Sequence, residues 1–285
     1  MKIGVSGLHL YDKHYGKDKY KKIKEFGFDG VDFGLTVTEE KYYTLPDKET
    51  ELLMTEEKRL ADDAGVVIHQ VHGPWRFPPK DFTKEDRCER MEKMKRSIYL
   101  TYLLGCKNWV IHPVMPFGIN DIVTGKEKET REVNRKFFKE LLETAGKYGV
   151  TICYENMPFE NFSLSKPKDI LSFVNEINDE NFKVCLDTGH ANVFGISAGD
   201  SVRLFGDKLK ALHIHDNKMQ KDLHLIPYMG TTDWSDFRKA LSEVNFSGVF
   251  SLETSLSKDM PSDVFEETNR FQLKIARSIV NSTLF

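Results

Sequence analysis

Cysteine is scarce: the 285 residues hold four, Cys88, Cys106, Cys153 and Cys185, with no CxxC spacing. A disulfide framework is therefore not expected. Three of the four fall in or at the start of apolar runs, so buried free thiols of a reducing cytoplasm are the expectation. No apolar run approaches the length of a membrane span, and the opening MKIGVSGLHLYD breaks off too early for a secretion leader. Excess positive charge is missing as well. Lys and Arg number 41 against 44 Asp and Glu, a net charge of −3. This argues against a generally cationic nucleic-acid binder, although a local basic patch can still hold phosphates. No low-complexity linker divides the chain, so one domain over residues 1–285 is expected. What remains is 40% hydrophobic and 30% charged, enough for a sizeable core under a well-solvated surface.

Within that chain, short runs rich in Val, Ile, Phe and Cys recur. They read KIGVSG (2–7), GVDFG (30–34), VVIHQVHG (66–73), KNWVIHPV (107–114), VTICYENM (150–157), FKVCLDTGH (182–190), LKALHIHDN (209–217) and GVFSLETS (248–255). Each is too short for a globular helix, and most are flanked by Gly, Asn or Pro. Between them lie amphipathic segments such as KETELLMTEEKRLADDAG and KETREVNRKFFKELLETAGKYG, with the three- and four-residue apolar spacing of helices that cover a sheet. The repeat predicts an α/β protein, a single (β/α)8 TIM barrel, with a doubly wound sheet as the rival. The loops after the third, fourth and seventh runs are long, as suits a substrate cover or a partner surface.

The stretch CLDTGHANVFG (185–195) sets Asp187 and His190 three residues apart, where an apolar run breaks into small residues. Other ligand-type residues sit at equivalent places. His72, His112, Glu155, His213 and Glu253 end successive runs, and Asp222 and His224 lie in the loop after the seventh. In a parallel barrel these ends share one mouth, where barrel enzymes build their sites. Three carboxylates gathered there with several imidazoles require a cation, and a divalent metal is the simplest one. Strand alternation puts Cys153, Cys185, Ala211 and Ser251 on the same face as the ligand two residues later. All are small, which suggests space kept for an ion and a substrate. His215 shares a face with His213, so either is a candidate ligand and the other its partner. His69 alternates away from His72 and is expected to pack, while His9 and His14 fall in the first loop without a role. Singly, a strand-end acid is more often a helix cap or a surface charge, and His72 and His112 could merely bond to the rim. The coincidence of all of them carries the metal reading.

These residues fall in motifs that resemble the xylose-isomerase-like barrel superfamily, which includes sugar and sugar-phosphate isomerases and epimerases, inosose dehydratases and endonuclease IV. The motifs are HGP (72–74), IHP (111–113), YENM (154–157), LDTGH (186–190), HIHD (213–216), DLH (222–224), GTTDW (230–234) and SLET (251–254). The resemblance implies a metal core of Glu155, Asp187, His213 and Glu253, with the first histidine of HIHD as the ligand. His190 would then contact substrate or a further metal. The endonuclease branch uses nine ligands for three zinc ions, and the matching positions are all present: the core four with His72, His112, His190, Asp222 and His224. HLIPYMGTTDW, however, resembles the isomerase-like segment more than the endonuclease one.

Two activities follow. One is a divalent-metal-dependent isomerase or epimerase of a sugar, sugar phosphate or related polyol, working through a metal-stabilised enediolate with Glu155 and Glu253 as the proton-transferring pair. Mn²⁺ or Zn²⁺ is the expected ion, with Co²⁺ or Mg²⁺ as substitutes. The alternative is an endonuclease IV-like zinc phosphodiesterase acting on abasic DNA. For a carbohydrate, contacts are expected from His190, His72 and Trp75. Trp75, Phe77, Pro78 and Pro79 would form an apolar wall, with Arg76 or Lys80 reaching a hydroxyl or phosphate. No glycine-rich phosphate cradle is present. The sequence leaves a homo-oligomer open.

Overall fold

The computed structural model describes residues 1–37, 40–219 and 221–281. All eight predicted runs are strands: β1 (Ile3–Val5), β2 (Gly30–Gly34), β3 (Val67–His72), β4 (Asn108–Ile111), β5 (Thr151–Glu155), β6 (Phe182–Asp187), β7 (Leu209–His213) and β8 (Phe250–Leu252). They pair in parallel in the order β7-β6-β5-β4-β3-β2-β1-β8. The remaining junction is narrow. Ile214 N donates to Ser251 O (2.8 Å) and accepts from Glu253 N through its carbonyl (2.9 Å), a parallel bridge that brings β8 against the end of β7. The sheet thus closes into a (β/α)8 barrel, and the doubly wound alternative is set aside.

Helices cover the outside: Asp47–Ala64 and Glu127–Tyr148 match the two amphipathic segments read from the sequence, and Lys84–Leu103 and Ser262–Asn281 are the other long ones. One helix lies where a loop was expected: Leu8–Tyr15 carries His9 and His14. The His14 ring stacks on Phe265 at 4.4 Å, on the outer flank of the barrel. Outward strand residues such as Ile3, Val31, Phe33, Val71, Ile152 and Val184 join the helices in one continuous core.

The barrel interior is different, and here two expectations are corrected. Cys153, Cys185 and Ala211 are buried with Val110 in a small cluster of their own beneath the site, and none of them lines the cleft where a substrate would sit. His69 does not alternate away from the interior. The β2–β3 register slips between Val31 and Asp32, which pairs Val31 with Ile68 and Asp32 with Gln70 and leaves His69 as the extra residue. A bulge of this kind puts consecutive side chains on one face. The imidazole therefore enters the barrel against Gly4 and Gly30, where a Cβ on Gly4 would lie 2.2 Å from its Cε1. No described helix is long and apolar enough to cross a membrane.

Candidate metal centre at the barrel mouth

Glu155 ends β5 and is the hub of the mouth. Its Oε1 lies 3.0 Å from His213 Nδ1 and 3.6 Å from His190 Nδ1, while its Oε2 lies 3.1 Å from His112 Nε2 and 3.6 Å from His72 Nε2. Oε2 is buried, yet none of these approaches gives it a hydrogen bond. A buried carboxylate oxygen left in that condition is costly unless a ligand completes it. Glu253, just past β8, adds Oε2 at 3.4 Å from His213 Nδ1. Donor atoms of Glu155, Asp187, His213 and Glu253 all lie within 4.8 Å of one another. This is the set that the resemblance implied, and its mixed oxygen and nitrogen donors suit a borderline or hard divalent ion.

Glu155 and His213 also meet Cys185 in a third, overlapping group, and two more groups flank the set. His72, His112 and Glu155 form one; His190, His215, Asp222 and His224 form the other. In the second, Asp222 Oδ2 receives His190 Nε2 at 3.2 Å and His224 Nε2 at 3.1 Å. Every ligand-type residue singled out from the sequence is thus at the mouth. His213 and His215 occupy different donor groups. His213 points between Glu155 and Glu253, whereas His215 sits with Nε2 3.0 Å from Asp187 and its ring stacked on His224 at 4.0 Å.

Local sequence explains this placement. Asp187 is the N-cap of the short helix Thr188–Val193, its Oδ1 accepting from His190 N at 2.6 Å, so one carboxylate starts the helix that carries the histidine. Asn156 ties the ends of β5 and β6 together: its Nδ2 donates to Asp187 O and its Oδ1 accepts from Asp187 N, both at 2.9 Å. Asp216 shapes the seventh loop by accepting from Asn217 N, Thr232 N, Gly230 N and Trp234 Nε1. HIHD and GTTDW are therefore two sides of one clamp.

The electrostatics are those of anions held by imidazolium charge. Burial works to raise the Glu155 carboxyl, but His213 and His112 outweigh it and hold the group well below the usual carboxylate range. For Asp187, burial is likewise overcome by His190 and His215. Burial opposes a charge on His190, yet Asp187 and Asp222 push it up to about 10. His224 rises to about 9 despite burial, through Asp222 and Glu253. His112 goes the other way, to about 4, because burial dominates. Glu253 is raised, burial being the largest cause. A cation entering the centre would take over the neutralising role of these protons.

The cleft beside the centre is about 440 Å³, lined by Trp75, Phe77, Met157, Pro158 and Phe159 together with the metal-type residues. Trp75 stands edge-on to His112 at 4.3 Å, and Phe77 stacks on Phe159 at 5.9 Å. Of the expected apolar wall, Trp75 and Phe77 line the cleft and Pro78 and Pro79 do not; Met157, Pro158 and Phe159 from the loop after β5, which the sequence reading missed, complete it. Arg76 is corrected: it turns away to Lys80 O (2.8 Å) and Glu89 (3.4 Å) and does not line this cleft, nor does Lys80. Asp32 was also missed. It reaches His213 from inside the barrel, Oδ2 to Nε2 at 2.9 Å, and its only signal is an acid inside the apolar run GVDFG.

A closed parallel barrel whose strand ends pool carboxylates and imidazoles over a small cleft defines a class of barrels with a donor-rich mouth. The chain belongs to the xylose isomerase-like TIM barrel family, whose sequence profile matches residues 20–274. It is 26% identical over 270 residues to a D-psicose 3-epimerase of Enterocloster bolteae, covering 89% of this chain and 82% of that one. The solved structure of a D-tagatose 3-epimerase-like protein superposes with a TM-score of 0.76 at 27% identity, over 99% of this chain and 98% of the other. A protein of Aquifex aeolicus described as "Probable endonuclease 4" is 24% identical over 275 residues, 90% of this chain and 94% of its own.

Proposed function

We propose that the protein is a divalent-metal-dependent epimerase of a ketose or a closely related polyol, inverting a carbon next to the carbonyl. The observation that carries this reading is the pair Glu155 and Glu253. They come from β5 and from the end of β8, both reach His213 Nδ1, and both belong to one four-donor set beside a cleft of monosaccharide scale. The epimerase names of the relatives support it.

Glu155, Asp187, His213 and Glu253 would hold the ion, Mn²⁺ or Zn²⁺ by donor chemistry. When bound, it supplies Lewis-acid polarisation of the carbonyl and neighbouring hydroxyl oxygens, worth several kcal/mol. The protein does the rest. One glutamate takes the proton from the carbon beside the carbonyl, and the other returns one to the opposite face. His190 and His72 contact hydroxyls. Trp75, Phe77 and Phe159 cover the sugar's CH face and exclude water.

Incubation with a panel of ketoses in D₂O tests the proposal. Deuterium should enter beside the carbonyl, together with an epimer, and both should disappear in Glu155→Gln and Glu253→Gln. Retention of exchange in either variant would reject the assignment.

A second reading rests on the two flanking donor groups, which with the central one provide places for three ions. Occupied by three zinc ions, they would make a phosphodiesterase acting on abasic DNA. Three tightly held zinc ions and nicking of an abasic duplex select this reading. A single exchangeable ion without nicking selects the epimerase.

A further inference from the structure

The floor of the barrel carries an acid that neither proton transfer nor metal binding uses. Asp32, in the middle of β2, is buried, and its Oδ2 lies 2.9 Å from His213 Nε2. β2 and β7 are not neighbours in the sheet, so this contact crosses the inside of the barrel. The same Oδ2 accepts from Gln70 Nε2 at 2.8 Å, and Gln70 Nε2 also lies 3.3 Å from Leu212 O, the carbonyl just before His213. Gln70 thus fixes the carboxylate against the backbone that carries the imidazole. The β3 bulge that takes His69 into the barrel also sets Gln70 opposite Asp32.

We propose that Asp32, held by Gln70, is the positioning residue of the centre, orienting His213 so that Nδ1 faces the metal. The inference rests on the reading of Glu155, Asp187, His213 and Glu253 as a metal site. An imidazole offers a ligand lone pair on one nitrogen only while its proton sits on the other. With Asp32 accepting at Nε2, the proton stays there, and the Nδ1 lone pair points at Glu155 Oε1 (3.0 Å) and Glu253 Oε2 (3.4 Å), into the space of the four donors. A carboxylate behind a ligating histidine also makes that histidine a better donor, and loss of such a partner typically weakens metal binding by about 10- to 100-fold. Apolar packing alone would place no acid here, because an unpartnered carboxylate in a barrel floor is costly.

The test is calorimetric titration of Mn²⁺ into the metal-stripped full-length protein, alongside unfolding of the metal-free form. The wild type should bind, and Asp32→Asn, which keeps the shape but not the charge, should bind about 10-fold more weakly. The metal-free unfolding midpoint should move little. If the wild type binds no ion, the metal reading itself fails. If the wild type binds and Asp32→Asn binds equally well, that reading survives and the role of Asp32 is refuted. A lower metal-free midpoint with unchanged affinity likewise makes Asp32 a structural acid only and overturns the proposal. Should Asp32→Asn not fold, Gln70→Met, which removes the donor that fixes the carboxylate, takes its place. Weaker Mn²⁺ binding supports the role, and wild-type affinity refutes it.

Discussion

Glu155 serves two sides of the mouth at once, Oε1 toward His213 and His190 and Oε2 toward His112 and His72. On the proposed function, its replacement would disturb ion binding and proton transfer together. Glu155→Gln should lower turnover by about 10³-fold or more, since proton transfer by a positioned group contributes 10²–10⁴ and the ion is weakened as well. Initial rates of epimer formation with a ketose that supports exchange check this. Gly189 shows that a residue can be required for space alone. A Cβ there would lie 2.0 Å from His215 Cε1. Gly189→Ala, ordinarily favourable in a helix, should instead destabilise the protein by about 1–3 kcal/mol through forced displacement of that ring, measured by urea unfolding. Residues at strand ends were legible because their chemistry is unusual for an apolar run. Asp32 and His69 were not, because period-two reading assumes regular pairing and the β3 bulge breaks it.

At the scale of elements, the mouth is assembled by side chains that join one loop to the next. Asn156 gives and receives a hydrogen bond with the Asp187 backbone. Asn156→Ala should therefore cost about 1–3 kcal/mol. It should also raise KM and lower kcat together, because the helix Thr188–Val193 would no longer hold Asp187 and His190 in place. Unfolding and steady-state kinetics on the same preparation read both effects. All eight strands and the covering helices Asp47–Ala64 and Glu127–Tyr148 were visible in the sequence, since burial on one or both faces imposes a period, whereas Lys84–Leu103 was not singled out. The helix Leu8–Tyr15 was not, its glycine start offering no side-chain cap. The direction of Arg76 was equally hidden. A loop's composition does not say which way a long side chain turns, and Glu89 on the following helix settles it.

For the whole molecule, the proposed metal centre would couple ligand and fold. An ion that binds only the folded chain stabilises it by about 2.7 kcal/mol at a hundred times its dissociation constant. Chelation should thus lower the unfolding midpoint by about 5 °C, and Mn²⁺ should restore it in a calorimetric scan. His69 adds a pH dependence of its own. Burial lowers its pKa to about 4, against about 6.5 in an unfolded chain. Both states are neutral above 6.5, so stability is complete there, and it is lost as the pH falls toward 4 and the unfolded chain gains a proton. Between pH 7.5 and 5 the wild type should lose about 2 kcal/mol more than His69→Gln, by urea unfolding in chelator. The account as a whole depends on Glu155, Asp187, His213 and Glu253 acting as one ion-holding, proton-moving unit. Its most direct test is solvent-deuterium incorporation into ketoses by the metal-loaded and the chelated protein. Exchange that vanishes on chelation and returns with Mn²⁺ is the predicted result; a metal-loaded protein that exchanges no ketose, or one indifferent to chelation, would contradict it.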